Sequence, residues 1–226
     1  MREYRPQLSH LVRDLGGYAT ISLMKLYYSP GACSLASHIS LREAGLPFEL
    51  VKVEGRSGPK TAGAEAFLDV TAKNYVPALR MDDGAVLTEG TAIMPYVADL
   101  APAKHLAPAA GTLERYRLHE WFGYLNSEVH KAFGPFFTPG ISDEAKQAAR
   151  DNLGRKFDFI VSQLGNRENL LSSGYSVVDA YLFVLLGWTR IVSVDLAKWP
   201  ALAAYHARIA ARPAVVEAMK AEGLIK

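Results

Sequence analysis

A single cysteine, Cys33, stands in the stretch LYYSPGACSL, after an apolar run and the turn cluster Ser29-Pro30-Gly31 and before a helix-like pattern. A thiol at a strand-to-helix turn is a candidate nucleophile. Unpaired N–H groups and the helix dipole favour negative charge at such a point, so a thiolate is stabilised there. An arbitrary lone cysteine is more often a small buried hydrophobe, but the neighbouring turn gives this one access. The absence of a second cysteine at the C-x-x-C spacing excludes a dithiol redox cycle. A working thiol here therefore needs an external thiol. One cysteine also makes no internal disulfide and no cysteine-rich zinc site, which fits a reducing compartment and a cytoplasmic protein.

The elements that must position Cys33 are legible on either side of it. Met24 to Ser29 reads as a strand that stops at the turn cluster. From Cys33 to Ala44, Leu35 and Ile39 fall four apart with Arg42 and Glu43 on another face, and Gly45 with Pro47 supplies a helix stop. Phe48 to Val53 is the next strand, followed by a loop over Gly55 to Gly63 and a short helix around Phe67 and Leu68. Pro77 to Glu89 reads as an antiparallel hairpin closed by a two-residue Asp83-Gly84 turn, and Thr91 to Leu100 as a helix. The order β-α-β-α-β-β-α joins a parallel βαβ half to a terminal hairpin, an α/β thioredoxin-like arrangement. From Thr112 onward the pattern is helical, apart from a break at Phe133 to Ile141. Two domains are expected, residues 24–103 and an all-α unit at 112–226. Ser176 to Asp179 has the form of a capping box and opens a helix apolar nearly all round, the expected centre of the helical unit.

Composition limits the partners. In 226 residues, half of them hydrophobic, the formal net charge is only +2 and Lys and Arg are scattered, so no nucleic-acid surface is predicted. The longest apolar stretch, Tyr181 to Trp188, is far short of the ~20 residues of a membrane helix. Residues 1–23 precede a second methionine, Met24, and carry Arg and Asp where a signal peptide has an apolar run; Glu3 and Asp14 argue against a transit peptide. A loose extension is the expectation.

Five segments in order carry a family resemblance: Met24 to Leu46 (MKLYYSPGACSLASHISLREAGL), Tyr75 to Leu79 (YVPAL), Leu87 to Ile93 (LTEGTAI), Glu128 to Lys131 (EVHK) and Ser176 to Phe183 (SVVDAYLF). Together they resemble a bacterial beta-class glutathione S-transferase, over nearly all of residues 24–226.

The resemblance implies a site. Val76 and Pro77 match the turn before a cis proline whose backbone pairs with the cysteinyl part of glutathione. Glu89 and Gly90 match the pair that holds the γ-glutamyl end, the carboxylate meeting its ammonium and the N–H groups opening the next helix meeting its carboxylate. Ser127, Glu128, Val129, His130 and Lys131 match a helix facing glutathione from the second domain, and His130 would place a proton carrier opposite Cys33. Lys60 matches a basic residue for the glycyl carboxylate. Gly123 stands where the family often has an Asn that reaches the other subunit. The resemblance further implies a homodimer, glutathione as co-substrate, no metal, and a small apolar electrophile as second substrate.

The implied reaction is attack of the glutathione thiolate on an electrophilic carbon. Lowering a thiol pKa from about 8.5 by ~2 units takes about 2.7 kcal/mol. A charge-assisted hydrogen bond (~1.5 to 3 kcal/mol) with a helix N-terminus (~0.3 to 1 kcal/mol) suffices. In other branches of the superfamily it resembles, a Tyr or Ser hydroxyl plays that role, and Tyr28, Ser29 and Ser34 are the hydroxyls close to Cys33 in sequence. Two other classes stay open: a glutathione-dependent thiol reductase or lyase on the same scaffold, and a non-catalytic glutathione-binding protein.

Overall fold

The computed structural model describes residues 23–55 and 60–226; residues 1–22 of the expected extension, and 56–59 of the expected loop, lie outside the described residues. Strand β1 (Met24–Tyr28) pairs in parallel with β2 (Phe48–Glu54), and the right-hand neighbour of β1 is the antiparallel β5 (Ala78–Arg80), followed by β6 (Val86–Thr88). Two short strands, β3 (Thr61–Ala62) and β4 (Glu65–Ala66), extend the other edge, so the sheet order is β4-β3-β2-β1-β5-β6.

Alternation along β1 explains how its apolar run serves two layers. Leu26 points into the large core shared with the helices, while Tyr27 faces a small cluster with Val53, Phe67, Val70 and Ala78 on the opposite face. Helix α1 (Ser34–Ala44) and α3 (Gly90–Leu100) cover the first face; the four-residue α2 (Phe67–Val70) covers the second. Gly45 closes α1 in the left-handed conformation, φ 68°, donating its N–H to Arg42 and Leu41 carbonyls.

Two local expectations need correction. Within the loop read at 55–63, Thr61 and Ala62 form strand β3, paired with β4 at Glu65–Ala66; strands of two residues carry no periodic signal. The hairpin between β5 and β6 is not a two-residue Asp83-Gly84 turn: Gly84 N–H donates to Met81 O at 3.0 Å and Met81 N–H to Ala85 O at 2.8 Å. Asp82 and Asp83 are therefore the central residues, and Gly84 (φ 86°) follows in the left-handed region, as in a turn with a glycine bulge.

The helical half comprises α4 (Leu113–Tyr124), continued by a π-helical stretch Leu125–His130, then α5 (Asp143–Leu164), α6 (Val177–Gly187), α7 (Pro200–Ala210) and α8 (Pro213–Ala221). A short 3₁₀ turn, Gly134–Phe137, occupies the predicted break. Every residue of α6 from Val177 to Leu186 is buried, as its apolar sequence requires. Its start is fixed by Asp179: Oδ2 accepts from Ser176 N–H (2.8 Å) and Oγ–H (3.0 Å), and Oδ1 from Leu170 N–H (2.9 Å) and Tyr205 O–H (2.6 Å). Helix α1 packs against both α3 and α6, so the two halves share one core and the cleft between them has fixed walls. Among the described residues no helix is long and apolar enough to cross a membrane.

Candidate active site

Cys33 stands at the N-cap of α1, where the turn from β1 delivers it: Ala32 N–H donates to Ser29 O, and Ser34 Oγ both accepts from Ser29 N–H (3.1 Å) and donates to Ser29 O (3.2 Å). Gly31 takes φ 69°, a left-handed conformation that favours glycine, and packs against the Leu224 side chain. The Cys33 thiol donates to the carbonyl of Val76 at 3.5 Å, and the Val76-Pro77 peptide bond is cis. The expected thiolate is a correction. The amides of Cys33 and Ser34 pull the thiol pKa down, but burial outweighs them and pushes it up to about 11, so the side chain rests as a neutral thiol.

A cleft of about 570 Å³ opens beside this sulfur, between the sheet domain and the helices. Of the residues singled out in the sequence, Cys33, Val76, Pro77, Glu89, Gly90, His130 and Lys131 line it. Glu89 precedes α3 with φ 68°, an uncommon conformation for a residue with a side chain, which aims its carboxylate out of the helix mouth. There it pairs with Lys73 at 2.6 Å, both side chains being half-exposed. An exposed pair of this kind contributes at most about 1 kcal/mol and is readily exchanged for a ligand ammonium.

His130 ends the π-helical stretch. Its Nδ1 lies 2.8 Å from the Tyr181 hydroxyl, and its ring stands edge-on to Trp188 at 4.8 Å. Burial and the adjacent Lys131 lower its pKa, so the imidazole is neutral at neutral pH. Trp188 in turn donates its indole N–H to Gly31 O at 2.8 Å, tying the histidine side of the cleft to the loop that carries Cys33.

Four expected residues are not brought into the cleft. Ser127 turns outward and donates to Gly123 O at 2.9 Å, Glu128 pairs with Lys156 of α5, and Val129 is fully buried in the core. Because Leu125–His130 is π-helical, with its turn closing five residues on, positions four to five apart share a face, so Asn126 joins His130 at the cleft while the three between them point elsewhere. Lys60 donates to Asn74 O at 2.7 Å and lies over the Tyr75 ring, behind the cleft wall.

The glutathione S-transferase N-terminal domain family matches residues 31–100, and the C-terminal domain family residues 124–213. Glutathione S-transferase GstA of Escherichia coli O157:H7 is 42% identical over 201 residues, covering 89% of this chain and 100% of the relative. The chain belongs to the glutathione S-transferase family. Among solved structures, a sphingomonad glutathione S-transferase in complex with glutathione is 49% identical with a TM-score of 0.84, covering 89% of this chain and 100% of that one. The bacterial beta-class glutathione S-transferase of Sphingomonas chungbukensis has the same identity, TM-score and coverage.

As a glutathione S-transferase-family chain, it carries cleft residues that the sequence reading missed: Lys73, Tyr75, Thr88, Thr91, Asn126 and Tyr181. Asn126 had a usable signal in its i, i+4 spacing to His130. Tyr181 is the one hydroxyl at the head of an apolar run whose pattern reads as core. A second concavity, about 550 Å³, lies between α4 and α5 with Trp121, Tyr124 and Phe159 on its wall; it contains none of the predicted site residues. No group of three or more His, Cys, Asp or Glu that could hold a metal occurs among the described residues.

Proposed function

We propose that the protein conjugates the thiolate of glutathione to small apolar electrophiles, as a cytoplasmic homodimer. The observation that carries this reading is the gathering of Cys33, the Val76-cis-Pro77 turn, Glu89 at the mouth of α3 and His130 around one cleft between the two halves. Glu89 exchanges Lys73 for the γ-glutamyl ammonium, and the first amides of α3, unpaired within the helix, meet the neighbouring carboxylate. The Val76 backbone pairs with the cysteinyl unit, which brings the glutathione sulfur beside Cys33. His130, neutral, takes the thiol proton; the electron pair stays on sulfur and attacks the electrophilic carbon, whose leaving group departs with its own pair.

Thiol–disulfide exchange at Cys33 is the second reading, favoured by the presence of the sulfur in the cleft. Its pKa near 11 weighs against it, because the thiolate is the attacking species. Conjugation needs Cys33 only as a neighbour that can donate a hydrogen bond to the glutathione sulfur. The homodimer is supported by an exposed face on α3 and α4, where Leu113 is 71% and Tyr116 62% exposed beside Tyr96.

The test is retention on glutathione-agarose and conjugation of an activated aryl halide. Retention and turnover are expected, with turnover surviving in Cys33→Ala. Neither retention nor turnover would overturn the reading, and reduction of a glutathionylated disulfide that disappears in Cys33→Ala would replace it with the second.

A further inference from the structure

The hydroxyl of Tyr181 is the single polar side-chain atom that the apolar face of α6 delivers to the cleft, and it has two partners. It donates to Asn126 Oδ1 at 3.1 Å, and it lies 2.8 Å from His130 Nδ1. Asn126 Oδ1 is an amide oxygen with no proton of its own, so the phenol proton occupies that bond. What remains on the Tyr181 oxygen is a lone pair, and a lone pair can only accept. His130 Nδ1 must therefore carry the ring proton, and Nε2 is left without one. Nε2 has no hydrogen-bond partner among the described residues, on a ring that lines the cleft. Flipping the ring would put Cδ2 where Nδ1 stands and so sacrifice the Tyr181 bond.

We propose that Tyr181, anchored by Asn126, is a positioning residue that fixes His130 in the Nδ1–H tautomer and so presents Nε2 to the cleft as a bare proton acceptor. The proposal rests on the transferase reading for its chemical consequence. In that reaction the S–H bond of glutathione breaks, its proton passes to Nε2, and the electron pair remains on sulfur. The imidazolium so formed keeps its Nδ1–H bond to Tyr181. With the opposite tautomer Nε2 would already bear a proton and could only donate, so the thiol proton would have no acceptor there.

The two supporting residues act in different ways, which separates the proposal from a packing role. Tyr181→Phe removes the acceptor. Asn126→Ala leaves the hydroxyl in place but frees its proton, which then turns toward Nδ1 and enforces the wrong tautomer. Asn126 is only half-buried, so that variant carries the test even where loss of the buried hydroxyl disturbs folding.

The experiment is two-bond ¹H–¹⁵N spectroscopy of ¹⁵N-histidine protein at neutral pH, with His130 assigned through His130→Gln, alongside steady-state conjugation by the same samples. Wild type is expected to show His130 protonated at Nδ1, both variants a shift toward Nε2–H. In both, kcat is expected to fall about tenfold or more, as loss of a positioned base does, with KM for glutathione within about twofold. A wild-type Nε2–H ring, or Nδ1–H retained in both variants, would overturn the proposal, as would kcat retained in a variant whose tautomer has changed. An inactive wild type whose Nδ1–H signature is nevertheless lost in both variants would uphold the tautomer assignment and overturn the transferase reading instead.

Discussion

At Cys33 two local effects oppose each other, and their relative size decides the protonation state. The start of α1 contributes about 0.3 to 1 kcal/mol in favour of the anion, whereas moving the pKa from the ordinary thiol value to about 11 means that burial has outweighed it by about 3 kcal/mol. Because Cys33 is the only cysteine, thiol alkylation reads this residue alone. Carbamidomethylation of the free enzyme is expected to be slow at neutral pH and to keep rising up to about pH 11, without the plateau of a low-pKa thiolate; a rate already constant between pH 6 and 8 would contradict it. His130 shifts in the other direction, and the sign matters. A lowered pKa keeps the imidazole neutral, and able to accept a proton, to a more acid pH than an ordinary histidine with its pKa of about 6.5. The acid limb of kcat/KM for glutathione is therefore expected below about 6.5 and is expected to vanish in His130→Ala; a limb above neutrality would show that another group takes the proton.

The element that presents Cys33 is held from a distance by the last turn of the chain. Glu222, buried just beyond α8, accepts from Gly31 N–H at 2.9 Å through Oε2, and its Oε1 lies 2.9 Å from His38 Nδ1 on α1. Arg42 donates to His38 Nε2 at 2.8 Å, which fixes the Nδ1–H tautomer and makes His38 a donor to the carboxylate. Glu222→Ala leaves the buried His38 donor and the half-buried Gly31 N–H without their acceptor, at up to about 1 to 3 kcal/mol each. For a chain of this size 1 kcal/mol moves Tm by roughly 2 to 4 °C, so thermal denaturation is expected to show a drop on the order of 5 to 20 °C. Glu222→Gln, which can still accept one of the two bonds, is expected to fall between; an alanine variant melting with wild type would remove Glu222 from this role. This clamp also marks where sequence reading stops. The start of α1, the stop at Gly45 and the cap at Ser176 were legible because each is written in residues next to one another. Gly31, His38 and Glu222 meet only after the chain has folded, and no local pattern pairs residues nearly two hundred positions apart. The same limit explains Ser127 to Val129: the segment was identified, but which of its side chains face the cleft depends on the helix phase, set by packing of Val129 in the core and of Glu128 against Lys156.

On the scale of the whole molecule, the shared core makes the cleft a feature of one chain, while the face formed by α3 and α4 is left exposed in that chain. Thr91 belongs both to the lining of the cleft and to the concavity on that face, together with Pro95, Tyr96 and Tyr116. A second copy seated there would thus abut the helix whose first amides are assigned to the γ-glutamyl carboxylate. Leu113 and Tyr116 are largely exposed in the single chain, and substitutions at such positions usually alter monomer stability by no more than about 0.5 kcal/mol. Placing a charge in the centre of an apolar interface is far more costly to association. Light scattering at micromolar concentration is therefore expected to give wild type twice the 24.7 kDa of one chain, and Tyr116→Glu combined with Leu113→Glu the mass of one. Because the face is continuous with the glutathione end of the cleft, the monomeric variant is also expected to show a raised KM for glutathione while keeping its melting temperature within a few degrees. A wild type that weighs 24.7 kDa, or a double variant that remains paired, would place the subunit contact elsewhere and leave Leu113 and Tyr116 as ordinary exposed apolar residues.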